Sequence, residues 1–179
     1  MSITPNGDIV AKLIVLGNGQ VGKSSLCSSL INKEISTKYD ITVGVEIHTH
    51  DIDLYSTGDK IKLVLWDLAG QDRFGWVRPG FYEGSRVALI VFDLQNRGSF
   101  YDVQHWVREL KKSSPHIPFI LIGNKSDINK REVTKEEGKL LANNLGVPYI
   151  ETSALEGSNV QETFKIATSI ALRGSVVAG

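Results

Sequence analysis

The octapeptide Gly17-Asn18-Gly19-Gln20-Val21-Gly22-Lys23-Ser24 leaves this chain few folds to choose from. It has the G-x-x-x-x-G-K-[ST] spacing and sits between an apolar run, 9–16, and a helical stretch. Glycines let such a loop wrap its backbone around phosphates with the N–H groups turned inward, and the helix N-terminus behind it adds partial positive charge. Lys23 can then neutralise the outer phosphates, while Ser24 offers its hydroxyl to magnesium.

Apolar runs alternate with amphipathic stretches along the rest of the chain, the pattern of strand–helix units around a mostly parallel sheet. Strands are expected at 9–16, 45–54, 61–67, 87–93, 119–124 and 149–152. Ser56-Thr57-Gly58-Asp59 supplies turn residues, so the second and third strands read as an antiparallel hairpin at the sheet edge. Ser99 with Asp102 opens a helix over 99–113, and Thr134 with Glu137 makes a capping box for one over 134–145. A last helix, about 160–172, carries Val160, Phe164, Ala167 and Ala171 on one face as core packing. The fold expected is α/β, a P-loop NTPase of three α/β/α layers. It has a six-stranded, mostly parallel sheet with one antiparallel edge strand, and about five helices. One domain spans 1–179, with an ordered core of about 8–173.

Lysine plus arginine number 20 and aspartate plus glutamate 20, so no net field draws the chain to nucleic acid or anionic lipid. Cys27 is the single cysteine, which excludes an internal disulfide or a thiolate metal cluster. It reads as a small buried hydrophobe in a reducing, cytoplasmic setting. The chain shows no secretory leader pattern, and no apolar run reaches the roughly 18 residues of a membrane span. His48 and His50 share a strand face but have no further ligands nearby, so they read as a solvent-facing hairpin.

The choice of base rests on two later segments. Asn124-Lys125-Ser126-Asp127 follows the apolar strand at 119–124, at the carboxyl end where open sheets place ligands. Guanine presents two adjacent donors, and an ionised carboxylate only accepts, so Asp127 suits guanine and opposes adenine. Asn124 can bond guanine edges and neighbouring loops, the Lys125 stem can lie on the ring, and Thr152-Ser153-Ala154 brings the Ala154 N–H towards guanine O6. A buried hydrogen-bonding site of this kind discriminates by about 10⁴–10⁵.

Sensing of the terminal phosphate falls to Asp67-Leu68-Ala69-Gly70-Gln71. Asp67 ends a strand and fits a carboxylate that holds magnesium through its water shell. Gly70 can approach the γ-phosphate by its N–H, and Gln71 is placed to orient the attacking water. Thr42 lies in the loop Tyr39-Asp40-Ile41-Thr42-Val43-Gly44, and its hydroxyl can join the magnesium shell while the γ-phosphate holds that loop. Hydrolysis removes the group that orders both loops, which makes a switch. The segment 33–42 contains Lys38 but no arginine, so slow intrinsic turnover is expected.

These residues resemble the Ras superfamily of small GTPases across nearly the whole chain, and most of all its Rab branch. Val43-Gly44-Val45-Glu46-Ile47, Lys62-Leu63-Val64-Leu65-Trp66-Asp67-Leu68-Ala69-Gly70, Phe81-Tyr82-Glu83-Gly84-Ser85 and Leu89-Ile90-Val91-Phe92-Asp93-Leu94 follow that branch's segments. The resemblance implies GTP/GDP cycling with Mg²⁺, with Gln71, Lys23 and Thr42 as catalytic residues and Ser24, Thr42 and Asp67 at the metal. It implies a nucleotide set of Gly19, Gln20, Val21, Gly22, Lys23, Ser24, Ser25, Tyr39, Thr42, Gly70, Asn124, Lys125, Asp127, Ser153, Ala154 and Leu155. It also implies a guanine-nucleotide exchange factor, a GTPase-activating protein and effectors that read Ile47, Trp66 and Phe81, on a protein expected to be monomeric. Trp66 reads equally well as a core residue, and Trp76 and Arg78 either meet a partner or pack their loop. The alternative is a nucleotide-holding pseudo-GTPase scaffold; a P-loop kinase would have no use for the base reader.

The chain departs from the family at several points. Gln20 replaces a usually small residue, Leu68 a common threonine, and Leu155 stands where many relatives have lysine. The family's prenylated cysteines do not occur in Ser175-Val176-Val177-Ala178-Gly179, so membrane contact has no support in these residues; peripheral association would need a lipidated tail that was removed. Ile35 replaces an aromatic that packs on guanine, which predicts fast GDP release. Ile35→Phe is expected to slow that release by up to roughly tenfold, as read from a chase of fluorescent GDP; an unchanged rate would count against a stacking role at 35.

Overall fold

The run Ile9–Leu16 forms β2, and its side chains from Leu13 to Leu16 are all buried, as they must be in a strand covered by helices on both faces. It is the centre of a computed structural model that describes residues 2–3, 9–32, 44–54, 58–70 and 75–173. From β2 the chain enters α1 (Lys23–Leu30), then the antiparallel pair β3 (Val45–Leu54) and β4 (Asp59–Leu68), in register from Val45 opposite Leu68 to Leu54 opposite Asp59. A 3₁₀ turn (Arg78–Phe81) leads to β5 (Ser85–Asp93), followed by α2 (Arg97–Tyr101) and α3 (Val103–Ser113). Next come β6 (Phe119–Asn124), α4 (Lys135–Leu145), β7 (Tyr149–Thr152) and α5 (Val160–Arg173).

The sheet order is β3-β4-β2-β5-β6-β7, with β3 as the antiparallel edge of an otherwise parallel path. This is the expected fold, with one addition. A two-residue strand β1 (Ser2–Ile3) pairs antiparallel with Ile9 and Val10, too short to leave a periodic signal. One core joins Leu13, Val15, Leu63 and Leu89 to Leu26, Cys27 and Leu30 of α1 and to Val160, Phe164, Ala167 and Ala171 of α5. The other joins Ile14, Leu16, Ile90, Phe92 and Leu121 to Val103, Trp106 and Leu110 of α3 and Ala142 of α4. Cys27 is buried and its thiol is pushed well up by that burial, consistent with an inert hydrophobe.

The helix expected to open at Ser99 opens earlier. Asn96 is the cap, its side chain accepting from the Ser99 N–H at 3.1 Å, and the helical run is interrupted at Asp102. An Asn three residues before a Ser competes with Ser99 itself for the capping role, and the amide wins because Ser99 is buried against the Asp93 and Asn96 backbone. Of the expected edge turn, Ser56 and Thr57 lie outside the described residues. Gly58, at φ 74°, donates to the Leu54 carbonyl at 2.8 Å.

The capping box on α4 is present in full: Glu137 N–H donates to Thr134 Oγ1 at 3.2 Å, and Thr134 N–H to the Glu137 carboxylate at 2.8 Å. Arg97 adds a contact at 2.7 Å, and its hydrogen bonds together with those from Thr134 hold the Glu137 carboxyl at about 2. In the unfolded chain this group returns to the ordinary 4.5, so its stabilisation is complete above that pH and is lost as pH falls towards 2. Glu137→Gln is therefore expected to lower the melting temperature at pH 7, with the gap to the parent chain closing as the melts are repeated at lower pH.

Candidate nucleotide-binding site

The carboxyl ends of β2, β4, β5, β6 and β7 lie along one edge of the sheet, and the loops leaving them make the site. Beyond Leu16 the backbone turns at Gly17, where a Cβ would overlap the Val91 carbonyl of β5. Gly22, at φ 93°, caps α1, and a Cβ there would overlap the Asn124 amide. Gln20 holds φ 66° without being glycine, which costs roughly 1–2 kcal/mol in local strain. This substitution therefore falls at a left-handed position that favours glycine.

Lys23 is buried and curls back into the loop, donating to the carbonyls of Gly17 at 2.9 Å and Asn18 at 2.7 Å. Burial lowers its ammonium to about 8, against the opposing pull of Asp67. A phosphate beside it would favour the charged form further. Ser24 donates a short hydrogen bond to Asp67 Oδ2. The other carboxylate oxygen, Oδ1, is buried with no hydrogen-bond partner among the described residues, and burial raises this carboxyl above its usual range. One carboxylate and one hydroxyl, both hard oxygen donors and one of them unsatisfied, fit a magnesium ion that takes its remaining ligands from phosphates and water. No cluster of three His, Cys, Asp or Glu occurs among the described residues, so nothing resembling an all-protein cage is present there; His48 pairs with Glu46 at 3.3 Å.

At the other end of the edge, Asp127 accepts from Ser153 Oγ at 2.6 Å, and Ser126 N–H donates to the Thr152 carbonyl at 3.0 Å. Lys125 takes φ 67° and pairs with Asp93 at 2.6 Å, a partner the sequence did not indicate. Ala154 is buried, while Leu155 is 71% exposed beside it. Asn124 is tied at both ends to protein: its Nδ2 donates to the Val21 carbonyl at 2.9 Å, and its Oδ1 accepts from Thr152 Oγ1 at 3.0 Å, leaving a second N–H of the amide for a base. Of its two expected roles, the tie between loops is seen directly.

Gly70 abuts the phosphate loop so closely that a Cβ would overlap the Gly17 carbonyl and the Asn18 backbone. Gly19, Gln20, Val21 and Ser25 take their places in the loop and the first turn of α1, whereas Tyr39, Thr42, Gln71, Ile35 and Lys38 lie outside the described residues. Ile47 and Trp66 face each other across β3 and β4, and the Phe81 ring is 5.9 Å from that of Trp66. Trp66 is half-buried beneath Lys12, whose ammonium sits 3.8 Å from the ring centre, so it is neither a core residue nor fully open. Trp76 is 84% exposed, whereas Arg78 is 2% exposed, so of the two roles open to them Arg78 takes the packing one.

A sequence model described as "Ras family" matches residues 12–172. The Ras-related protein RABA6b of Arabidopsis thaliana is 40% identical over 160 residues, covering 88% of this chain and 69% of that protein. Human Ras-related protein Rab-8B is 36% identical, covering 88% of this chain and 76% of its own. Ras-related protein SEC4 of Saccharomyces cerevisiae is 33% identical, covering 88% and 73%. With the phosphate loop, the Asp67–Gly70 segment and the Asp127–Ser153 pair gathered on one sheet edge, and with matches over nearly its whole length, this chain belongs to the Ras family of small GTPases and stands with its Rab relatives.

Proposed function

We propose that the chain is a guanine-nucleotide switch. It holds GTP or GDP together with Mg²⁺ and hydrolyses GTP slowly to GDP and phosphate, as one G domain that regulates membrane traffic. The observation that carries this reading is the carboxylate of Asp127, steadied by Ser153 and joined through Asn124 to the loop that would hold the phosphates. An ionised carboxylate only accepts, which matches the two adjacent donors that guanine offers, and Lys23 lies in the loop at the other end of the same sheet edge.

In this reading Lys23 leaves the carbonyls of Gly17 and Asn18 for the β- and γ-phosphates, and the inward N–H groups of the loop take the remaining oxygens. Mg²⁺, held by Ser24 and Thr42 and through water by Asp67, would neutralise charge on those phosphates. Gln71 orients a water in line with the bond to the leaving diphosphate, and the water's oxygen bonds to the γ-phosphorus as that bond breaks. Arg78 is locked to Glu109 and to the Ala69 carbonyl rather than offered to the phosphates, which supports slow turnover without an external arginine. Ile47, Trp66 and Phe81 form the patch that effectors would read, and an exchange factor and an activating protein complete the cycle of a monomeric, cytoplasmic switch. No helix among the described residues is long and apolar enough to cross a membrane.

Calorimetry should register tight binding of GDP and none of ADP, and equal binding of the two would overturn the base assignment. Asp127→Asn exchanges a charged acceptor for an amide and is expected to weaken GDP by about a hundredfold, the loss of two charge-assisted hydrogen bonds. Asp67→Ala is expected to weaken Mg²⁺ by roughly 10–100-fold in a titration of GDP-loaded protein, the usual cost of an outer-shell carboxylate. An unaltered magnesium midpoint would remove Asp67 from the metal's surroundings.

A further inference from the structure

Behind the phosphate loop, on the α3 side of the sheet, lies a set of contacts that nucleotide binding alone does not require. Asn18 accepts from Trp106 Nε1 at 2.6 Å and donates to Asp102 Oδ2 at 2.6 Å, which fastens the loop to α3. The Trp106 ring carries the guanidinium of Arg78, 4.5 Å from its centre. Arg78 is gripped from α3 as well, with Nε on Glu109 Oε1 at 3.0 Å and Nη2 on Oε2 at 2.8 Å, while Tyr82 donates a short hydrogen bond to the same carboxylate. A further nitrogen, Nη1, donates to the Ala69 carbonyl at 3.3 Å.

The Ala69 carbonyl and the Gly70 N–H belong to one peptide unit, and no peptide among the described residues is cis. In a trans unit the two groups point in opposite directions, so a donor that fixes the carbonyl also fixes the aim of the N–H. Gly70 is pressed against the backbone of Gly17 and Asn18, leaving that peptide at the mouth of the phosphate loop.

We propose that Arg78 is a positioning residue for this GTPase: by holding the Ala69 carbonyl it presents the Gly70 N–H to the terminal phosphate of a bound triphosphate. Glu109 and Trp106 orient the guanidinium, and Asn18 ties the same support to the phosphate loop. The arrangement needs arginine, because one planar group must bind a carboxylate in two places, lie on an indole and reach a carbonyl; a lysine ammonium cannot do all of these together. GDP has no terminal phosphate for this N–H, so the device favours the triphosphate alone. The inference deepens the switch reading above and rests on it.

The test is the ratio of dissociation constants for a β,γ-imido GTP analogue and for GDP, both with magnesium, on the full chain. Arg78→Met combined with Glu109→Gln removes the two charges together, so that no half-buried carboxylate is stranded. The double variant is expected to lose roughly tenfold in affinity for the analogue and less than about twofold for GDP, with Arg78→Lys in between. If the double variant does not fold, Arg78→Lys carries the same readout. An unchanged ratio, or an equal loss for both nucleotides, overturns the positioning role. If the parent chain fails to prefer GDP over ADP, the guanine reading falls and this inference with it; a parent chain that discriminates normally, paired with an unmoved ratio, sinks Arg78 alone.

Discussion

Backbone meets backbone where the strands' carboxyl ends converge, and the rest of the site is arranged around that crowding. Gly17 lies on the Val91 carbonyl and Gly70 on the backbone of Gly17 and Asn18, while Gly22 lies on the side-chain amide of Asn124. A methyl group at any of these points would overlap its neighbour, so the loop, the segment after β4 and the base reader can sit within one ligand's length only because three residues lack a Cβ. Close approach also concentrates polar groups. Asp67 and Lys23 end up buried, one with an unsatisfied oxygen and the other turned onto the loop's own carbonyls. Among the described residues neither meets a full set of partners, as expected of a site whose electrostatics close around a charged ligand.

What could be read from the residues in advance was whatever depends on neighbours in sequence. The strand periods, the Thr134–Glu137 box and the spacing of Gly17, Gly22, Lys23 and Ser24 are local, and the structure places each as expected. What was missed depends on distant partners. Asp102 looked like part of a helix start, yet its carboxylate serves Asn18, and Arg78 could be read as meeting a partner or packing its loop, with no sign that its fork closes on Glu109. The Lys125 stem reads as lying on the base, and the partner of its charge, Asp93 at the end of a neighbouring strand, leaves no sign in the sequence. Nothing in a single sequence joins positions 18, 78, 106 and 109, because only the stacking of α3 on the sheet brings them together.

The two halves of the site differ in how they are stabilised. Hydrogen bonds between loops hold the base end, with Ser153 on Asp127 and Thr152 on Asn124. The phosphate end leans on side chains from a different layer, through Trp106 and Arg78 beneath it. A partner that shifts α3 would therefore be felt first at the phosphates, and one that disturbs the loop after β7 first at the base.

Asn124 bridges these halves, with one side of its amide on Val21 and the other on Thr152. A protein that pries the phosphate loop outward must break or drag this strut, and the floor beneath the purine shifts with it. Strain at the phosphate end is thereby passed to the base end through a single side chain.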